Sequence, residues 1–186
     1  GFFALYKLGL KSGYFRWKTD DRGQKIADHQ PPASFISPLF TLPDPDAILD
    51  IFGPDSLSQL KAEASEIVDG RVRLFGGQPV PLSLIPPGEL AHWTKFDHAQ
   101  TLDIKYIWEP ARFGWAFTLG RAYHITRDDR YPEAFWRYFE IFQQANPVNM
   151  GPNWESAQEV ALRLIAFAFV AQVFADSIHS TADRQS

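Results

Sequence analysis

Two short stretches join an aromatic ring, an acid and a guanidinium. One is Trp108-Glu-Pro-Ala-Arg112. The other is Asn149-Met-Gly-Pro-Asn-Trp-Glu-Ser-Ala-Gln-Glu-Val-Ala-Leu-Arg163. Each reads as a turn entering a helix. Free N–H groups and the helix dipole at such an entrance favour anions. A Trp face can stack on a sugar ring, while Asn and Arg can donate to a carboxylate or sulfate. Asn153, Trp154, Glu155, Arg163, Trp108, Glu109 and Arg112 are therefore the candidate substrate-binding residues.

The same residues have a structural account. Asn153 or Ser156 can cap a helix, and Trp154 can be a buried anchor. Ser156 and Glu159 have the spacing of a capping box. Glu159 and Arg163 stand one turn apart, a pairing that adds only about 0.2–0.5 kcal/mol when exposed. Their neighbours Val160, Ala161, Leu162, Leu164 and Ile165 are apolar. That context predicts partial burial in a network with Glu109 and Arg112, fixing one helix against another.

Other chemistry is weakly marked. Lys105 and Tyr106 precede the first Trp-Glu pair, with packing the simpler reading for both. His92 and His98 flank Trp93, but with Asp97 they do not form a recognised metal set. His124 falls near a helix end, where a cation suits the dipole. Asp128 and Asp129 lie in a turn. Gly76-Gly77 opens into a Pro-rich stretch, not into a helix that would hold a phosphate. No serine sits in a nucleophile elbow, and the acids of residues 44–69 lack calcium-loop spacing. Neither a metal nor an organic cofactor is expected.

The elements that must carry these residues are mostly helical. The 186 residues are 45% apolar with 16 Phe, 6 Trp and 6 Tyr, enough for a packed core. Phe2 to Leu10 predicts a short amphipathic helix, and residues 19–46 an irregular Pro-rich connector. Pro54-Asp55 predicts a helix start capped by Asp55 or Ser56, with Gly70 left-handed after its end. Arg71 to Phe75 alternates polar and apolar and predicts a strand, with a partner at Val80 to Leu84. Residues 85–107 read as a loop. Three helices follow, over about 110–125, 132–145 and 156–176, with Pro110 in a first turn. The short link 126–131 makes the first two antiparallel neighbours. Phe135, Trp136, Phe139 and Phe142 stripe the second. The result is a mainly α chain of antiparallel hairpins, a bundle or an α/α toroid, with at most a small β-hairpin.

Formal net charge is −4, which gives no footprint for nucleic acid. Residues 1–30 carry six Lys/Arg against three Asp, while residues 31–70 carry one Lys against seven Asp/Glu. There is no cysteine, hence no disulfide or thiolate metal site. No apolar run is long enough to span a membrane. The chain begins with Gly and ends in a polar stretch, which reads as a segment of a longer protein.

Taken in order, Ile67-Val-Asp-Gly-Arg-Val-Arg-Leu-Phe-Gly76, His92-Trp93, Asp103-Ile-Lys-Tyr-Ile-Trp-Glu-Pro-Ala-Arg112, Leu119 to Tyr131 and Asn146 to Arg163 carry a resemblance. From about residue 55 to 176 the chain resembles the N-terminal helical region of the heparinase II/III-like polysaccharide lyases. The resemblance implies the N-terminal part of an incomplete α/α toroid, residues 1–54 being an N-terminal helix and connector and 55–186 the helical domain. It implies β-elimination on a uronate-containing or sulfated glycan, a periplasmic or secreted setting, and a C-terminal remainder of the parent protein as partner. The Asn-Asn-His-type motif with which the family neutralises the substrate carboxylate is missing here. No catalytic residue is expected within this chain, and no catalysis by it alone. A non-catalytic helical carbohydrate-binding or scaffold domain is the second reading. The third is an α/α-toroid hydrolase using Glu109 with Glu155 or Glu159 as paired acids.

Overall fold

The computed structural model describes residues 40–100 and 103–178. The helix expected at Phe2–Leu10 and the connector before residue 40 lie outside them. The described chain is mainly helical, with one two-stranded antiparallel sheet. In order the elements are α1 (Pro45–Val68), β1 (Arg71–Arg73), β2 (Pro79–Pro81), α2 (Lys105–Ala111), α3 (Gly114–Thr126), α4 (Arg130–Ala145) and α5 (Ala157–Val173). Short 3-10 turns sit at Leu74–Gly76, Trp93–Lys95, His98–Gln100 and Pro152–Trp154.

α1 begins earlier than Pro54. Asp44 Oδ1 accepts from the N–H groups of Asp46 (2.9 Å) and Ala47 (3.2 Å), and Pro45 fills the first position, where no N–H is needed. Asp44, not Asp55 or Ser56, is the cap. The expected boundary survives as a kink: Gly53 has φ 74°, and helix resumes at Pro54. At the far end Gly70 takes φ 82°, and its N–H closes on the Ile67 carbonyl. The hairpin follows in the register Arg71↔Pro81, Val72↔Val80, Arg73↔Pro79. Val72 points to the core and both arginines point out. The two prolines of β2 deny that strand two ladder donors.

The helix expected over 110–125 is two helices. α2 starts at Lys105, so Pro110 sits near its end rather than in a first turn. The chain then breaks at Phe113, which is left-handed (φ 59°) and fully buried. Its ring lies 4.8–6.1 Å from those of Trp115, Phe135, Phe142 and Phe167. A bulky residue with positive φ is costly; here that aromatic cluster offsets the cost.

α3 is the central helix and packs on α1, α4 and α5. Its buried face includes the small residues Ala116, Gly120 and Ala122, which let neighbours approach closely, beside the larger Trp115, Leu119 and Tyr123. α4 buries Tyr131, Ala134, Phe135, Tyr138 and Phe142 at helical spacing; of the expected stripe Phe135 and Phe142 are buried, while Trp136 and Phe139 are partly buried against the core. Among the described residues no helix is long and apolar enough to cross a membrane, and no cluster of His, Asp and Glu forms a metal-holding group.

Candidate functional site

The two Trp-Glu pairs meet, but only Trp154 stands at a helix entrance: Trp108 and Glu109 lie within α2, because that helix already begins at Lys105. α2 carries Trp108, and its indole N–H donates to the Pro152 carbonyl at 3.0 Å. Pro152–Trp154 is the 3-10 turn that leads into α5. Trp154 in turn donates to the Asn146 carbonyl at 3.2 Å. Asn153 is 1% exposed; its amide donates to Asn146 Oδ1 at 2.8 Å. Asn146, at the end of α4, donates to the carbonyls of Leu84 and Phe142, both at 2.9 Å. Two buried amides thus tie a loop, a helix end and a helix entrance together.

Arg163, like Glu159, is a buried charge at this junction, 3% exposed on α5. It donates from Nε to the Ala111 carbonyl (2.6 Å) and from Nη2 to the Asn153 carbonyl (3.1 Å). Its guanidinium lies over the rings of Phe142 (4.5 Å) and Trp154 (5.4 Å), a cation–π arrangement. Nη1 and Asn153 Oδ1 are buried without a hydrogen-bond partner among the described residues. Loss of water lowers the Arg163 pKa to about 10, with nearby Glu159 opposing the fall. It remains a cation at neutral pH.

Glu159 does not complete a capping box with Ser156, whose side chain makes no cap hydrogen bond. It turns instead to Arg112, which donates from Nε to Oε2 (2.5 Å) and from Nη2 to Oε1 (2.8 Å). Arg112 Nη1 also donates to Glu109. These acids hold the Arg112 pKa above its ordinary value, the hydrogen bond it donates to Glu159 most of all. The reason is burial: a nearly enclosed carboxylate needs a cation, and a bidentate fork supplies one.

Six of the seven candidate residues are thereby linked, and Glu155 is beside them. It pairs instead with His98 at 3.0 Å, joining the 85–104 loop to the entrance of α5. His92 ties the same loop down: it forms an antiparallel bridge with Met150, and its Nδ1 accepts from the Thr94 N–H at 3.3 Å. Partial burial holds the His92 pKa below its ordinary value, assisted by Lys95.

The junction is filled rather than hollow. Asn153 and Arg163 are sealed inside it, whereas Trp108, Glu109, Arg112, Trp154 and Glu155 are half-buried. The nearest cleft, of about 200 Å³, opens beside Glu109, with Arg71, Arg73, Glu66, Trp115 and Thr118 among its walls. The chain matches no family model, no curated protein and no solved structure. The functional reading therefore rests on chemistry and geometry.

Sequence reasoning passed over Arg71 and Phe75 as site candidates and favoured packing for Tyr106, which is 60% exposed. The signal was present in Arg-Val-Arg-Leu-Phe-Gly-Gly, where alternation sends both arginines outward and leaves a large ring in a tight turn.

Proposed function

We propose that this domain is the helical wall of a substrate cleft in an enzyme that cleaves uronate-containing polysaccharides by β-elimination. On this reading the hairpins are the first part of an incomplete α/α toroid. In the reaction a base removes the proton beside the uronate carboxylate. The bond to the departing glycosidic oxygen breaks, a carbon–carbon double bond forms, and the leaving oxygen takes a proton. The helical wall would bind and orient the glycan, and no proton transfer is assigned to this chain. The observation that supports the reading is convergence: Trp108 on α2 meets the Pro152–Trp154 turn, and its neighbour Glu109 lines a cleft shared with Glu63, Glu66, Arg71 and Arg73.

The hydrolase alternative finds less support. Glu159 is enclosed, and both its oxygens are engaged by Arg112. A non-catalytic binding or scaffold domain is favoured by one observation, the interior position of Asn153 and Arg163. The test is incubation of the chain with a panel of uronate glycans, followed by calorimetry and product analysis. The expected result is binding with no near-ultraviolet absorbance from unsaturated ends. New reducing ends without that absorbance would establish a hydrolase. Failure to bind any acidic glycan would overturn the assignment.

A further inference from the structure

Phe75 is the residue whose conformation the interior does not explain. Its backbone is left-handed (φ 53°, ψ 30°), yet its side chain is 54% exposed. Phe113 shares that conformation and gains a buried aromatic cluster in return. Phe75 meets one ring, Tyr106, edge to face at 5.4 Å, and Tyr106 is itself 60% exposed. A strained backbone that presents a ring to water is an unusual pairing of costs.

Neither ring lines the 200 Å³ cleft itself, but the 3-10 turn and the helix that carry them both supply residues to its wall. Phe75 follows Leu74, which lines it, and Tyr106 stands one turn before Glu109, which also lines it. The arginines of the hairpin differ in availability. Arg73 is held in a fork by Glu66, at 2.9 and 2.8 Å, and these bonds hold the Glu66 carboxyl below its ordinary value. Among the described residues Arg71 meets Asp69 at 3.9 Å, beyond hydrogen-bond reach. Its donors are open to a ligand.

We infer that Phe75 and Tyr106 form a platform for one pyranose ring of an acidic glycan, with Arg71 receiving its carboxylate. The apolar C–H face of a sugar suits the electron-rich face of an aromatic ring, and a guanidinium matches a carboxylate in shape and charge. This inference rests on the proposed function for its ligand class and adds the place and the residues.

The experiment is calorimetry of the full chain with an oligoguluronate tetrasaccharide, and with a neutral cello-tetrasaccharide for comparison. Phe75→Gly is the deciding variant, because glycine accepts the left-handed backbone. It should melt no lower than the parent while its Kd for oligoguluronate rises about tenfold, as should that of Tyr106→Ala. Arg71→Gln should weaken the uronate probe several-fold and leave the neutral one unchanged. Parent-like affinity in Phe75→Gly and Tyr106→Ala overturns the platform and leaves the domain assignment standing. Equal affinity for both probes, untouched by Arg71→Gln, overturns the carboxylate role. No uronate binding by the parent chain overturns the domain assignment itself.

Discussion

Arg163 is a cation carried into a protein interior, so its removal should be felt throughout the molecule. Desolvation opposes its charge, and two carbonyls, two ring faces and Glu159 oppose the desolvation. Arg163→Ala removes the donors and leaves the Ala111 and Asn153 carbonyls unpaired. We expect a loss of about 3–5 kcal/mol in urea unfolding, and an unchanged midpoint would refute the junction as described. The caps differ from one another in the same assay. Asp44 accepts two N–H bonds, so Asp44→Ala should cost about 1 kcal/mol. Ser156 makes no cap bond, so Ser156→Ala should fall within about 0.5 kcal/mol of the parent. A larger effect at Ser156 than at Asp44 would reverse the capping assignments. Sequence pointed to the meeting of the two Trp-Glu pairs through their repeated residue types, but it placed both at helix entrances, and Trp108 lies within α2. It did not reveal that Asn153 and Arg163 would be sealed. The groups around them, Phe142, Asn146 and Ala111, come from other helices and leave no mark on local spacing.

Among the elements, α3 and α5 approach closely at Gly120. A Cβ built on Gly120 would lie 2.5 Å from the Phe169 ring, which is flanked by Phe117 at 4.8 Å and Phe40 at 5.8 Å. Alanine is worth about 1 kcal/mol over glycine inside a helix, but overpacking costs about 1–3 kcal/mol. The second effect should win at Gly120→Ala, lowering the melting temperature, and Phe169→Leu in the same chain should recover part of the loss. A Gly120→Ala protein that melts higher would show that the ring moves freely. A second prediction concerns the 85–104 loop. His92 Nδ1 accepts an N–H from Thr94, so a proton there abolishes that bond. Its folded pKa lies below the ordinary value of 6.5, so the unfolded chain binds the proton more readily. The stability it contributes is full above pH 6.5 and declines as pH falls from there through the folded pKa. Protection against hydrogen exchange, relative to the intrinsic rate at each pH, should be lower at pH 5 than at pH 7 for the Trp93 and Gly151 amides, which bond the Asn149 and Ala91 carbonyls. That loss of protection should vanish in His92→Gln; if it persists, another group is responsible. α4 and the hairpin were readable because periodicity, Gly70 and the alternating arginines all agree. The break at Phe113 was not, since no local preference favours a left-handed phenylalanine and the reward comes from rings far along the chain. The early start of α1 was written in Asp44-Pro45-Asp46, and Gly53-Pro54 masked it by supplying a second plausible boundary.

For the whole molecule, the net charge of −4 constrains how a polyanion can bind. Four net negative charges at about 15 Å repel one carboxylate by about 1 kcal/mol before screening, and a direct contact with Arg71 at about 4 Å attracts it by about 1 kcal/mol even at the dielectric of water. The two differ in range, so salt separates them. The Debye length shrinks from about 30 Å at 0.01 M to about 10 Å at 0.1 M, and to about 3 Å at 1 M. Between the first two, the distant repulsion fades faster than the close attraction. Affinity for oligoguluronate should therefore rise about twofold per carboxylate from 0.01 to 0.1 M salt, then fall toward 1 M as the Arg71 contact is screened. Arg71→Gln should keep the rise and lose most of the fall. A basic binding surface behaves otherwise, with affinity dropping steadily as counterions compete. A steady decline from the lowest salt would mean that a cationic surface other than the hairpin edge holds the glycan, and Arg71 could not then be its main contact.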